Sequence, residues 1–262
     1  MELNRKHISK ALPDFAWIIL QNLRFRKEKS FVRYSKHGEL VRIRDAGFIW
    51  HTHRERAHSY RFGLKHRGKS IGHSYLLQNI DFKDDDLIID CGANMGDLQL
   101  FFEYQELRIR YVGIEPNPLD FKCLNMNALP GAKGLNRALW NTTSSLEFYV
   151  DSKGASSSLI EPPRYSEKIL VEAVRLDSLN FDKIKLFKVE GEGAEPEILE
   201  GSSDILNRID FIAVDWGPER GLLQTSTRQD CLKFLTENGF EMVEENDGGR
   251  KTALFRNVKT SI

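Results

Sequence analysis

From residue 84 onward the sequence alternates short apolar runs with stretches of helical spacing, and this alternation restricts the chain to an α/β fold with a mostly parallel sheet. The runs are Leu87 to Cys91, Tyr111 to Glu115, Gly134 to Leu139, Ile184 to Val189, Asp210 to Asp215, Phe240 to Glu244 and Thr252 to Phe255, seven strands in all. Between them, Asp97 to Leu107 carries Leu98, Phe101 and Phe102 at helical spacing. Thr227 to Asn238 does the same with Cys231, Leu232 and Leu235 and stops before Gly239. Helices on both faces of the sheet are therefore expected. Residues 145 to 180 break the rhythm: Leu146 to Val150 and Ile169 to Val174 read as extra strands flanking a polar loop, Gly154 to Ser158. An insertion there can cover a ligand crevice at the carboxyl ends of the strands.

A chain of 262 residues allows one large domain or one domain with an appendage. With 40% hydrophobic and 29% charged residues it can bury a core, which excludes general disorder. The three cysteines, Cys91, Cys123 and Cys231, show no metal-ligand spacing, so a reducing compartment and a cytoplasmic location are expected. No run approaches the roughly 20 apolar residues of a membrane span.

Charge divides the chain. Residues 1–80 hold 17 of the 38 lysines and arginines, only 6 of the 38 aspartates and glutamates, and all seven histidines. The excess of eleven positive charges is balanced by residues 81–262, so a basic, histidine-rich α+β appendage (1–80) beside an acidic main domain (81–262) is expected. Phe31 to Ser35 and Leu40 to Arg44 read as strands joined at His37-Gly38. The stretch from Trp50 to Lys69 carries His51, His53, His58, His66, Arg54, Arg56, Arg61 and Arg67. Such a segment either meets an anionic partner, whether phosphate, nucleic acid or lipid, or pairs internally with the acidic half. The apolar stretch Phe15 to Leu20, followed by Arg24, Arg26, Lys27 and Lys29, leaves open a basic amphipathic helix in peripheral contact with a membrane.

The residues with the most chemistry are Leu87-Ile88-Ile89-Asp90-Cys91-Gly92-Ala93-Asn94-Met95-Gly96, a buried strand that ends in an acid and turns through glycines into a helix. Glycines permit positive φ and close backbone approach, and the helix start offers free N–H groups. Glu115 ends the next strand 19 residues after Gly96, where a carboxylate can accept from the two hydroxyls of a ribose. The loop lacks the G-x-G-x-x-G that admits a pyrophosphate, so S-adenosylmethionine fits better than a dinucleotide.

Asp90-Cys91-Gly92-Ala93-Asn94-Met95-Gly96, then Gly113-Ile114-Glu115-Pro116-Asn117, then Lys188-Val189-Glu190-Gly191-Glu192-Gly193-Ala194-Glu195 resemble the FkbM family of S-adenosylmethionine-dependent methyltransferases. Asn136-Arg137-Ala138-Leu139, Ser157-Ser158-Leu159 and Ala253-Leu254-Phe255-Arg256-Asn257 follow in the family's order. The resemblance implies a seven-stranded Rossmann-like methyltransferase fold and O-methylation of a hydroxyl on a sugar, polysaccharide or glycolipid. It also implies that Asp90, Gly92 and Gly96 hold the methionine part, Glu115 the ribose, and Asn136 with Ala138 the adenine edge. Asn94 and Asn117, within the same motifs, complete the cofactor set. Two residues depart from the family pattern: Glu190 stands for an aspartate and Gly191 for a valine.

Residues 81–262 contain no histidine, so a proton acceptor must be an acid or lysine of that region or a histidine from the first 80 residues. Lys188, Glu190 and Glu192 lie where the fourth strand ends and are the candidate catalytic residues, Glu190 first. The alternative is that Glu190, Glu192 and Asp215 hold a divalent cation. The competing functions are methylation of a nucleic-acid hydroxyl and a noncatalytic nucleotide-binding module.

Overall fold

The computed structural model describes residues 12–27, 32–52, 56–151, 156–246 and 248–259. Helix α1 (Asp14–Lys27) lies on an antiparallel meander of β1 (Arg33–His37), β2 (Leu40–Arg44) and β3 (Phe48–His51). Trp17, Ile18 and Phe25 bury their side chains against Tyr34, Val41, Ile43 and Ile49. The first strand begins two residues later than expected, and Phe31 is outside the described residues, as are His53 and Arg54. Strand β3 was hidden in the sequence because its buried residues, Ile49 and His51, include a histidine.

A 3₁₀ turn, Arg56–Tyr60, leads into α2 (Leu64–Ser74), which packs closely on α3 (Gln99–Glu103). Glycine makes that approach feasible: a Cβ on Gly72 would stand 2.0 Å from the Phe101 ring, and one on Gly68 would stand 2.6 Å from the Leu100 backbone. Tyr75, Leu76, Leu77, Ile80 and Phe82 then join Ile88, Leu98, Phe101 and Phe102 in one cluster, so the junction expected at residue 80 falls within a continuous core.

The main sheet contains β4 (Leu87–Cys91), β5 (Arg110–Ile114), β6 (Lys133–Leu135), β10 (Ile184–Val189), β11 (Ile209–Asp215), β14 (Phe240–Asn246) and β15 (Thr252–Asn257). Their order is β14-β15-β11-β10-β4-β5-β6, with β15 antiparallel to both neighbours. This is the expected seven-stranded, mostly parallel sheet. Helix α4 (Pro118–Met126) follows β5, α5 (Glu195–Glu200) follows β10, and α6 (Arg228–Glu237) precedes β14. Every residue of β4 is buried, as a central parallel strand requires. Alternation sorts its side chains: Leu87, Ile89 and Cys91 enter the cluster with α5 and α6, and Ile88 enters the one with α3. The chain moves outward from β4 through β5 and β6 and then returns to β10, so the strand order reverses between β4 and β10. Ligands of open α/β sheets bind at such a point.

The run Gly134 to Leu139 is divided between two sheets. Asn136 donates its Nδ2 protons to the carbonyls of Glu115 (2.9 Å) and Pro116 (3.0 Å), which bends the chain around the tip of β5. The following β7 (Ala138–Leu139) joins β8 (Ser144–Val150) and β9 (Glu167–Val174) in a separate sheet of order β7-β9-β8, the expected insertion. Short strands β12 (Pro218–Arg220) and β13 (Thr225–Ser226) pair after β11. The helix expected over 97–107 is regular only in α3, ending before Glu106, which takes a left-handed φ of 60°.

Candidate active site

A cavity of about 300 Å³ opens at the carboxyl ends of β4, β5 and β10. The β4 loop forms its floor. Gly92 has φ 68° and Gly96 φ 86°, and a Cβ on Gly92 would stand 2.1 Å from the Glu190 carbonyl oxygen. Only glycine lets these loops meet. Both Gly92 and Ala93 donate their backbone N–H to the Ile114 carbonyl, at 3.0 and 3.1 Å.

Glu115 is clamped from two sides. Its Oε2 accepts the Asn94 N–H and its Oε1 the Asn117 N–H, each at 2.8 Å. Burial, with Asp120 nearby, pushes its pKa up to about 8 despite those two bonds. Glu115 lines the cavity, where a carboxyl can exchange hydrogen bonds with vicinal hydroxyls. Asn94 Oδ1 is buried at the cavity wall without a hydrogen-bond partner among the described residues, an acceptor that a ligand would satisfy. Ile114, Pro116, Ala138, Leu139 and Phe148 supply an apolar wall fit for a flat ring. Asn117 itself caps α4, its Oδ1 accepting from Leu119 N at 3.0 Å, and Asn136 secures the loop after β5. Both therefore shape the site from behind, and neither side chain lines the cavity.

Opposite the glycine loop lies a chain of ion pairs. Register pairs Lys188 of β10 with Asp90 of β4, which puts both side chains on one face of the sheet. The Lys188 ammonium, 3% exposed, stands 2.8 Å from Asp90 Oδ1 and 2.8 Å from Glu190 Oε2 and also donates to the carbonyls of Cys91 and Gly92. Glu190 Oε1 meets Arg250 at 2.7 Å, and Arg250 reaches Asp215 at 3.2 Å while donating to the Tyr75 hydroxyl. Arg250 and Lys188 hold the Glu190 carboxyl well below the usual range, so it is a fixed carboxylate and a weak base. Against the lowering effect of burial, the two carboxylates raise Lys188 and favour its charged form. As for the cation alternative, both Glu190 oxygens face protein cations, Lys188 and Arg250. Among the described residues, no His, Cys, Asp or Glu cluster is arranged to hold a metal ion.

Acids with the opposite bias surround this chain. Burial and neighbouring carboxylates push Asp215 to about 6, Glu219 to about 7 and Glu192 well above its ordinary value. Glu192 lines the cavity, with its backbone at φ 51° and its carbonyl held by the Ser158 hydroxyl at 2.9 Å. Glu195 is the buried first residue of α5, and its Oε1 accepts from Gly191 N (2.8 Å) and Gly193 N (3.1 Å) of the preceding turn and its Oε2 from Thr227 (2.9 Å). Burial still raises Glu195 to about 7. A carboxyl whose folded-state pKa is raised contributes stability below its ordinary pKa and loses it as pH climbs through the raised one. Glu195→Gln is therefore expected to flatten part of the fall in melting temperature between pH 4.5 and 7, and an unchanged slope in scanning fluorimetry would refute this.

The first 80 residues form the remaining wall. His51, Ser59, Tyr60, Arg67 and Ile71 all line the cavity. Arg67 donates from Nε and Nη2 to Asp97 Oδ2 (2.8 and 2.6 Å), the Tyr60 hydroxyl donates to Oδ1 of the same carboxylate, and the buried His51 ring meets Tyr60 edge-on at 5.6 Å. Thr52 donates to Asp120 at 2.7 Å. Part of the basic excess thus pairs internally. The sequence reading missed Arg250, Tyr75, Asp97 and Asp120. Arg250 was detectable from the Gly248-Gly249 pair just before the last strand, since a residue there lands beside the tip of β11.

Residues 90–242 match the family model described as the methyltransferase FkbM domain. The chain is 26% identical over 214 residues to methyltransferase sdnD of Sordaria araneosa, covering 66% of this chain and 80% of that one. It is 24% identical over 195 residues to methyltransferase 1 of Beauveria bassiana, covering 63% and 76%. Among solved structures, a methyltransferase FkbM from Methylobacillus flagellatus aligns over 68% of this chain with a TM-score of 0.48 and 16% identity, and this chain spans only 44% of that longer one. With the glycine loop, the clamped Glu115 and the orphan acceptor of Asn94 all suited to the family's cofactor, S-adenosylmethionine, the chain belongs to the FkbM methyltransferase family.

Proposed function

We propose that the protein methylates a hydroxyl of a sugar, polysaccharide or glycolipid. The observation that carries this reading is the polar half of the cavity, where Glu190, Glu192 and Arg250 face the cofactor loops. Vicinal hydroxyls are recognised by such mixtures of fixed carboxylates and guanidinium donors. S-adenosylmethionine supplies an electrophilic methyl group when bound. Asp90, Gly92, Asn94 and Gly96 would hold its methionine part, Glu115 its ribose, and Ala138 with its apolar neighbours its adenine. Glu190, fixed as an anion, orients the acceptor hydroxyl by accepting its hydrogen bond. Glu192 lines the cavity with its pKa raised by burial and neighbouring acids, so that once ionised it is the carboxylate suited to take the proton. Asp215, coupled to the same carboxylates, tunes that titration.

The test is methyl transfer against panels of glycans, glycolipids and RNA, with products identified by mass spectrometry. A methylated glycan or glycolipid is expected, and a product found on RNA alone would overturn the reading. On the accepted substrate, kcat/KM is expected to rise with pH along a limb above the ordinary carboxyl range, as the acids next to Glu190 lose protons. Glu192→Gln should lower kcat by roughly 10² to 10⁴ and abolish the limb. A limb retained in that variant would assign the proton to another group, His51 being the next one on the cavity wall.

A further inference from the structure

Helix α1 has two apolar faces and uses one. Trp17, Ile18 and Phe25 are buried against the meander, whereas Phe15, Ile19, Leu20 and Leu23 are 68, 55, 46 and 58% exposed. Phe15, Ile19 and Leu23 follow at four-residue spacing, so they form one continuous stripe of about 12 Å along the helix. An exposed apolar stripe of this length on a surface helix marks a site for a second apolar environment.

The surroundings of the stripe say which environment. Arg24 and Arg26 are exposed at its carboxyl-terminal end, and Arg33 and Arg44 are exposed on the adjoining hairpin. The first 80 residues carry the eleven-charge excess described above. No helix among the described residues is long and apolar enough to cross a membrane. An apolar stripe bordered by arginines, on a helix too short to span, is the chemistry of an interfacial helix, in which the apolar residues enter the acyl boundary and the arginines meet anionic headgroups. A second protein copy would need a matching anionic apolar face, whereas the same stripe on a copy of this chain is bordered by the same positive charges.

We propose that α1 docks the protein on an anionic lipid surface. The layer is thin: Trp17 and Phe25 share a cluster with Tyr60, whose ring lines the active-site cavity. Docking thus holds the cavity close to the bilayer. This consequence rests on the function proposed above and narrows it to acceptors whose sugar is anchored in lipid.

The experiment is co-sedimentation of the full chain, without methyl acceptor, with phosphatidylcholine vesicles and with vesicles in which about a third of the lipid is phosphatidylglycerol. Binding is expected to be at least tenfold tighter to the anionic vesicles and to weaken with salt. Ile19→Glu with Leu23→Glu should reduce it at least tenfold, with unchanged melting temperature and S-adenosylmethionine affinity because those two side chains face solvent, and Arg24→Gln with Arg26→Gln should reduce it several-fold. Wild-type protein that stays in the supernatant, or Ile19→Glu/Leu23→Glu that sediments like wild type, would overturn the proposal. Light scattering that finds a dimer which this double variant dissociates would assign the stripe to a second copy instead. Lost vesicle binding with methylation of soluble glycans intact would defeat the docking alone. Vesicle binding without transfer to any glycan would defeat the proposed acceptor class alone.

Discussion

Lys188→Met will cost the fold about 3 to 5 kcal/mol, the usual penalty for removing one partner of a buried ion pair. The ammonium sits between Asp90 and Glu190 and also serves the carbonyls of Cys91 and Gly92. Methionine fills the volume of the side chain and supplies none of those donors. Asp90 then retains the Tyr111 hydroxyl, at 2.5 Å, and Glu190 retains Arg250. For a domain of this size the melting temperature should fall by roughly 6 to 20 °C. Acidification should recover part of the loss, because a protonated Asp90 no longer needs a cation; its pKa is already raised, first by burial. Adding Asp90→Asn to Lys188→Met should recover part of it at neutral pH as well, a coupling read from a double-mutant cycle. A drop of less than about 2 °C, or strictly additive substitutions, would show that water screens the pair.

Glu190→Gln will lower kcat by about 10² with S-adenosylmethionine affinity changed less than threefold. The substitution keeps the size of the side chain and removes the fixed anion proposed to orient the acceptor hydroxyl. Loss of orientation alone is worth this much when the reacting atoms shift by about 1 Å. The pH limb separates orientation from proton transfer. Lys188 and Arg250 hold Glu190 ionised at any pH near neutrality, so the limb should survive in Glu190→Gln, though displaced downward because Glu192 and Asp215 lose a neighbouring negative charge. In Glu192→Gln the limb should vanish. A Glu190→Gln enzyme with wild-type kcat would remove Glu190 from the reaction, and one without a limb would make Glu190 the proton acceptor. Melting curves of the same variant guard against misreading, since Lys188 and Arg250 each lose a counter-charge.

Much of this site is visible in the chain because strand ends are local. Asp90, Glu115 and Glu190 each follow an apolar run, and in a parallel sheet every such run delivers its last polar residue to the same edge. The glycines of the first loop and the apolar face pattern likewise express themselves within a few residues, which is why the seven-stranded sheet could be anticipated from composition of the runs and their spacing. What the runs do not encode is which polar residues meet across them. Arg250 and Tyr75 reach Glu190 over separations of 60 and 115 residues, and nothing local to any of the three marks the others.

The amino-acid sequence by itself therefore determined the sheet, the glycine cradle, the acid at the tip of β5 and the family. Tertiary structure alone decided the roles of the polar residues. It set Lys188 as a buried bridge between Asp90 and Glu190, turned Asn117 and Asn136 into braces behind the cavity, and brought His51, Tyr60 and Arg67 from the basic segment into the cavity wall. The physical reason is that an apolar side chain is sorted by burial, which periodicity reports, whereas the charge state and task of a polar one depend on partners and desolvation set by packing of distant segments.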